Sequence, residues 1–168
     1  DSVGDSRIHG GKDMAVCVYC VDHFSYWEEK YQRKILPGSF GENLSVSGMS
    51  EEIINIGDIF EMGQAQLEVS QARQPCHKLN KIFNDQSMAC DIKKTGFSGY
   101  YLRVLKPGLI QPGTSIKRIH EGSYSIEKAN ALLRKGGANI VDMKELIDLP
   151  ALSDGWRIMF QKRVEKYG

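Results

Sequence analysis

The chain has 168 residues, of which 41% are hydrophobic and 26% charged, an ordinary balance for a chain that buries a core. Lys and Arg number 22 against 21 Asp and Glu, a near-neutral charge that argues against a general binder of nucleic-acid polymers and leaves room for local basic clusters that hold one anion. No run approaches the roughly 20 apolar residues that cross a bilayer, no leader is visible at the start, and Cys17, Cys20, Cys76 and Cys90 read as reduced thiols of a cytoplasmic protein rather than the staples of a small secreted scaffold.

Residues 14–21, MAVCVYCV, form a nearly unbroken apolar run of strand type, as in a strand buried on both faces. Asp22 is placed to cap a helix in which Phe24, Trp27 and Tyr31 recur at helical spacing, and Pro37-Gly38 closes that element. Residues 43–46 read as a short strand, and residues 53–62 as strand interrupted by a turn at Gly57-Asp58. Ala65, Leu67 and Val69 alternate with Gln66, Glu68 and Ser70, the pattern of a half-buried strand. After Pro75-Cys76, Leu79, Ile82 and Phe83 have helical spacing, and Pro75 suits a first helical position, where no amide hydrogen is needed. Residues 100–105 and 115–119 read as further strands with turns at Pro107-Gly108 and Pro112-Gly113. From about Glu121 the character turns helical: Ser125 caps a first helix, Asp142 with Glu145 resembles a capping box for a second, and Ser153 caps a third whose stripe of Trp156, Met159, Phe160 and Val164 is a packing face. The expected fold is mostly β with α: a closed or nearly closed β-barrel over residues 1–120 and a three-helix tail over 121–168.

Cys76 stands out on chemistry alone. It follows a strand, a polar loop and a proline, and it opens a helix whose positive end favours a thiolate. Arg73, His77 and Lys78 add positive charge nearby. A thiolate attacks electrophiles or ligates soft metals; an inert buried thiol is the competing reading, and spacing does not separate them. Residues 9–13 and 38–44 carry glycines beside polar residues, which suits backbone approach to an anion and equally suits a tight turn. Arg7 and His9 add local positive charge, and Lys93-Lys94-Thr95-Gly96 reads as a solvated loop. Cys17 and Cys20 form a C-x-x-C inside a strand, where they point to opposite faces, so core packing is the expectation for both; Cys90 reads as structural. Nucleotide-binding Gly-rich loops, H-E-x-x-H and G-x-S-x-G are absent from the sequence.

Residues 9–16 (HGGKDMAV), 40–44 (FGENL), 56–58 (IGD) and 70–76 (SQARQPC) resemble, in order, the motifs of the MOSC domain family, the domain type also found at the C-terminus of molybdenum cofactor sulfurases. Gly99-Tyr100-Tyr101-Leu102-Arg103-Val104 resembles the later glycine-aromatic-arginine strand, and the tail around Leu149-Pro150-Ala151-Leu152-Ser153 and Trp156 is similar to the three-helix extension of the YiiM-type branch. The resemblance covers nearly the whole chain. It departs at Ala72, where relatives often carry Pro, and at the start: residues 1–9 resemble the loop just before the His-Gly-Gly motif, so the opening strands of the barrel are expected to be missing from this sequence, which opens at Asp1.

The resemblance implies a β-barrel that binds the molybdenum cofactor (molybdopterin), with Cys76 giving its thiolate to molybdenum, and contacts from Arg73, Asn43 and His9 and, more weakly, Arg7 and Arg103. For Arg103 a strand-end ion pair competes. It implies an oxidoreductase for small N-hydroxylated compounds of the hydroxylaminopurine or amidoxime type, served by an electron-donor reductase protein, because no flavin or nicotinamide motif is present. An oligomer is compatible with this reading. The alternatives are a binding module that carries sulfur or a metal–sulfur group on Cys76 to a partner, and a metal-free cysteine enzyme, for which no second catalytic base is evident.

Overall fold

A computed structural model of the protein describes residues 11–133 and 139–168; Arg7 and His9 lie outside the described residues. The elements in chain order are β1 (Val16–Cys20), α1 (Phe24–Tyr31), β2 (Leu44–Val46), β3 (Asn55–Ile56), β4 (Ile59–Met62), β5 (Ala65–Ala72), α2 (Lys78–Phe83), α3 (Met88–Thr95), β6 (Tyr100–Lys106), β7 (Ile116–His120), β8 (Tyr124–Ser125), α4 (Ile126–Ala131), α5 (Ile140–Asp148) and α6 (Asp154–Tyr167). Six strands form one sheet in the order β2-β1-β6-β5-β4-β7, antiparallel except for the parallel β1/β2 pair. β3 and β8 make a second, two-stranded sheet. Register shifts at Ile59/Phe60, Gln66/Leu67 and Val69/Gln71 bend the ladder, because each irregularity locally raises strand twist. The outcome is a strongly curled half-barrel with the C-terminal helices packed on it.

β1 divides two cores, as its unbroken apolar run foretells. Val18 belongs to the core between the sheet and the tail, with Leu67, Val69, Leu102, Ile126, Ala129, Met143, Leu146, Trp156 and Phe160. Tyr19 belongs to an aromatic core on the other side, with Trp27, Phe40, Phe83, Met88 and Ile92. There Tyr19 stacks on Phe40 with centroids 3.9 Å apart and planes 7° apart, Trp27 Nε1 donates to Tyr19 Oη at 2.6 Å, and that hydroxyl donates to the Phe97 carbonyl at 3.1 Å. Each buried aromatic thus keeps its polar atom satisfied.

Several expected elements take a different local form. Asp22 does not cap α1; its carboxylate accepts from the Gly48 amide at 2.8 Å, and a short 3-10 turn over Val21–His23 leads into the helix. α1 ends at Gln32 in the left-handed region, before Pro37 is reached. α2 begins at Lys78 after His77, so Pro75 precedes the helix, and Ile82 faces solvent while Leu79 and Phe83 are buried. Lys93 and Lys94 lie in the last turn of α3 rather than in a loop, with Gly96 as its left-handed cap. The cap of α5 is Asn139, which accepts from the amides of Val141 at 3.0 Å and Asp142 at 3.2 Å, because the chain enters the helix three residues ahead of Asp142. Ser125 and Ser153 cap α4 and α6 as expected, accepting from Lys128 and Trp156, each at 3.2 Å. Cys90 is exposed, not structural, whereas Cys17 and Cys20 are buried.

α3 is tied to α1 through Asp91, whose carboxylate meets Lys30 Nζ at 2.8 Å and accepts from Tyr31 Oη and Ser87 Oγ, both at 3.0 Å. The hydrogen bond from Lys30 is the main cause that lowers this carboxyl from 3.8 to about 2. A carboxyl that titrates lower when folded stabilises the fold above its unfolded value and loses that contribution as pH falls through its folded value. Asp91→Asn should therefore cost stability at neutral pH, and the cost should fade between about pH 4 and about pH 2; urea titrations across that range would read it, and a pH-independent difference would reject the tie.

The tail and sheet share one apolar core, so they should unfold together. Phe160→Ala, at a fully buried site, should destabilise the whole protein by roughly 3–5 kcal/mol and shift a single thermal transition downward. Two separable transitions, with the sheet's unmoved, would show the tail to be an independent unit.

Candidate functional site

The 38–44 loop, the segment at Arg73 and the turn at Gly99 meet at one end of β1, β5 and β6. β5 runs out at Ala72, and Arg73 continues its ladder for one more bond, its amide donating to the Gly99 carbonyl at 3.0 Å. The Arg73 side chain turns inward, only 8% exposed, and Nη2 donates to the Phe40 carbonyl at 2.7 Å. Gly99 has φ 74°, and a Cβ there would collide with the Val18 carbonyl, so the close approach of β6 to β1 requires glycine. Its amide donates to Glu51 Oε1 at 2.7 Å, while Glu51 Oε2 pairs with His23 Nε2 at 2.6 Å.

The 38–44 loop is held the same way, by its own polar residues. Glu42 accepts from the amides of Gly38 at 2.7 Å and Phe40 at 3.0 Å and from Ser45 Oγ at 2.7 Å. Asn43 reads like an added strand residue: its amide donates to the Cys17 carbonyl and its Oδ1 accepts from the Cys17 amide, both at 2.8 Å. These bonds set the loop beside Arg73, Cys17 and Tyr101, which face one another electrostatically. Burial pushes the Cys17 thiol up, with Arg73 opposing; burial likewise pushes the Tyr101 phenol up, with Cys17 adding to the rise, Arg73 opposing it, and Cys76 a smaller contribution.

Cys76 sits just ahead of α2, half-buried and with no disulfide partner. The Lys78 amide donates to its Sγ at 3.5 Å, His77 Nδ1 lies 3.9 Å from the sulfur, and the Cys76 carbonyl accepts from the Leu79 amide at 3.0 Å. Cys76 therefore does not open the helix as expected: it lies two residues ahead of Lys78, and its thiol receives the Lys78 amide, one of the free amides of the helix start. Asn43 and Arg73 stand with the site's framework. Arg103 stands elsewhere, bridging Glu68 Oε2 at 3.1 Å and the Ala151 carbonyl at 2.8 Å, with Asp13 Oδ1 3.0 Å away but out of line for a hydrogen bond. It is the ion-pair arrangement, joining β5 and β6 to the tail. His9 and Arg7 fall outside the described residues.

Sequence reasoning passed over the His23–Glu51 pair and Tyr101. A buried carboxylate can be suspected only once its neighbours are known; Tyr101 was visible inside the 99–104 motif but carried no charge to mark it. Cys76 and Cys90 should react with a thiol reagent in the native protein, and Cys17 and Cys20 only after unfolding, since both are buried and burial raises both thiols. Titration before and after denaturant would count them, and fast labelling of all four would contradict the packing of β1.

Comparison with known proteins identifies the family of the chain. The MOSC domain family matches residues 5–117, and the YiiM-like 3-alpha helix domain matches residues 125–166. The chain is 38% identical over 168 residues to the uncharacterized protein YflK of Bacillus subtilis, covering 99% of this chain and 76% of that protein. The crystal structure of YiiM from Geobacillus stearothermophilus superposes with a TM-score of 0.89 at 41% identity, over 92% of this chain and 80% of that one. A protein of Gibberella moniliformis named "Reductase" is 34% identical over 148 residues, which are 84% of this chain but 26% of that protein. This chain belongs to the MOSC domain family, in its YiiM-like branch with a three-helix C-terminal domain.

Proposed function

We propose that the protein is a reductase of small N-hydroxylated compounds that works with the molybdenum cofactor, bound through the Cys76 thiolate. The observation that carries this reading is the donor set. Among the described residues no group of three or more His, Cys, Asp and Glu could hold a metal ion. The described residues thus offer one soft donor at the site rather than a ligand cluster. A metal that brings its own organic ligand and asks for one soft protein donor fits, because Cys76 is a free, partly accessible thiol with an amide directed at its sulfur. Membership of the MOSC family and the relative named a reductase support the same reading.

When bound, the cofactor supplies a two-electron couple able to remove oxygen from an N–O bond. The net reaction takes R–NH–OH, two electrons and two protons to R–NH2 and water. The chain's own residues would position it. Cys76 holds the group in place; the Lys78 amide steadies the sulfur's negative charge. Arg73 anchors the segment that delivers Cys76 through its bonds to Phe40 and Gly99, and it lends positive potential to an anionic pterin. Asn43 fixes the glycine-bearing loop against β1. Arg103 acts at a distance, through the Glu68 and Ala151 contacts that seat the tail. His9 and Arg7, outside the described residues, remain candidate contacts for the cofactor on the sequence alone. A separate redox protein delivers the electrons, and the free thiols suit a reducing compartment such as the cytoplasm.

Protein produced in cells that make the cofactor should contain molybdenum and pterin in proportion to chain. It should reduce a hydroxylaminopurine with reduced viologen dye as donor. Cys76→Ala should lose the metal and bring turnover to background, and Arg73→Ala should lower metal content less completely. Full turnover by Cys76→Ala, or by protein lacking molybdenum, would overturn the proposal. A persulfide mass shift on Cys76 without turnover would point instead to sulfur carriage.

A further inference from the structure

The charge of this near-neutral chain is unevenly spread, and one helical face holds an excess of cations. Over residues 24–36 and 77–95, seven Lys and Arg are exposed, whereas Glu29 is the one exposed acid. The other acids there are already engaged. Glu28 accepts from the Ile35 amide at 2.9 Å and Asp85 from the Ser87 amide at 2.7 Å, while buried Asp91 pairs with Lys30 at 2.8 Å and with Lys94 at 3.5 Å. Arg33, Lys34, Lys78, Lys81 and Lys93 make no ion pair with another described residue.

These cations share one surface with Cys76. Lys78, Lys81 and Ile82 fall on the exposed side of α2, opposite the buried Leu79 and Phe83. Arg33, just past α1, crosses to that helix: its guanidinium lies 4.9 Å from the Phe83 ring centroid, and Nη1 donates to the Ile82 carbonyl at 3.3 Å. Asn80 Oδ1 accepts from the Ala89 amide at 2.9 Å and so holds α3 beside α2. Lys93 and Lys94 stand at the mouth of a cavity of about 650 Å3 walled by Pro75, Ile92, Leu133 and Met159, where Gln74 Nε2 meets Met159 Sδ at 3.6 Å. The cationic face therefore borders the Cys76 segment and continues over α2, α3 and the end of α1. Apolar side chains stand among the charges: Tyr26 is 40% exposed, Leu36 55% and Ile82 51%.

We infer that this face docks the protein that delivers the electrons, a small flavin or iron–sulfur protein whose own docking face is acidic. The inference deepens the proposed function and rests on it for the need of a donor; the face itself rests on charge and exposure. Three observations support a donor protein. Cations without exposed acids repel a copy of the same face and attract one that bears carboxylates. The exposed tyrosine, leucine and isoleucine side chains suit a protein surface that excludes water at its centre, which a backbone of phosphates does not offer. Electron transfer weakens steeply with distance, so a donor must dock beside the residue that holds the redox group, and Cys76 lies at the border of this face. Two donor molecules give one electron each and are oxidised; with two protons from solvent, the N–O bond breaks to give amine and water. A steered contact of this kind is small and short-lived, as turnover of the donor demands.

Flavodoxin, a small acidic flavin protein, is the probe. Carbodiimide joins carboxylates to lysines in direct contact, and this readout needs neither metal nor turnover. In the full chain, cross-links to flavodoxin should map by mass spectrometry to Lys34, Lys78, Lys81 and Lys93. Lys106 and Lys117 should stay free, because they lie at the far end of the sheet, where Gln66 pairs with Lys106 and Glu61 with Lys117. In the cofactor-loaded protein, Lys81→Glu together with Lys93→Glu should lower kcat/KM for reduced flavodoxin about tenfold, as should raising salt from about 50 to about 300 mM. Turnover with viologen dye and the thermal transition should stay at the parent values in that variant. Lys106→Glu together with Lys117→Glu should leave turnover with either donor unchanged. Equal losses of flavodoxin turnover in the two variants, or dye-supported turnover with none from flavodoxin, would overturn the docking face. So would an oligonucleotide that binds the parent chain more tightly than flavodoxin does and is lost in the Lys81/Lys93 variant. A chain with no molybdenum and no turnover with dye would refute the proposed function; cross-links confined to the cationic face would then leave it standing as a site for an acidic protein.

Discussion

The Arg73 guanidinium is the tie on which the arrangement depends. A buried cation is tolerated only where its donors are satisfied, and here the Phe40 carbonyl, the neighbouring Tyr101 and the Glu42-held loop provide for it. The same residue's amide binds the Gly99 carbonyl. One arginine thereby joins the end of β5, the 38–44 loop and the start of β6, three segments far apart in sequence. Cys76 is three residues further along, so its position follows from where Arg73 is held. Lysine would not serve as well, because a flexible ammonium lacks the planar fork that reaches one carbonyl while facing a phenol.

A buried hydrogen-bonded pair, His23 and Glu51, reinforces that tie. His23 stacks on Phe97 with centroids 3.8 Å apart and meets Glu51, which receives the Gly99 amide. Glu51 also offers its backbone carbonyl to the Glu127 amide at the start of α4. The turn after β1, the start of β6 and the first tail helix are thus linked through one carboxylate-bearing residue. Removing one partner leaves the other's polar atom buried without its hydrogen bond, which costs more than an apolar pair in its place. The pairing therefore specifies a geometry more than it adds net stability.

What the sequence reveals here follows from how local the cause is. β1 and β5 are visible because their side-chain patterns reflect burial on one or both faces, and Ser125 and Ser153 because a cap needs only a few residues of chain. Asp22 and Asp142 mislead for the same reason in reverse: a good capping residue is used only if the backbone arrives at the helix there, and Gly48 and Asn139 change that. α3 is hard to see because its buried face includes Asp91, whose charge reads as exposed until Lys30 and Tyr31 are brought to it. Cys76 was legible from its company of proline and basic residues. The ion pair of Arg103 was foreseen as one alternative, without its partners Glu68 and Ala151; the duty of Asn43 was not foreseen, since it depends on Cys17 across the sheet.

The tail bears on this directly. Had it been an appendage, its apolar stripe would have closed on itself and its own three helices would have formed a separate core. Instead Trp156 and Phe160 pack with Leu67 and Val69 of the sheet, and Arg157 of α6 gives its guanidinium to the carbonyls of Ile147, Leu149 and Leu152, fixing the turn between α5 and α6 against the Arg103 ion pairs. Arg163 reaches back to the Leu132 carbonyl at 2.8 Å, beside the Leu133 wall of the cavity. A helix so anchored presents Met159 at a fixed distance from Pro75. The half-barrel sets where the thiol is, and the tail sets how much room lies behind it. Changes in tail residues that face the sheet therefore alter the stability of both parts.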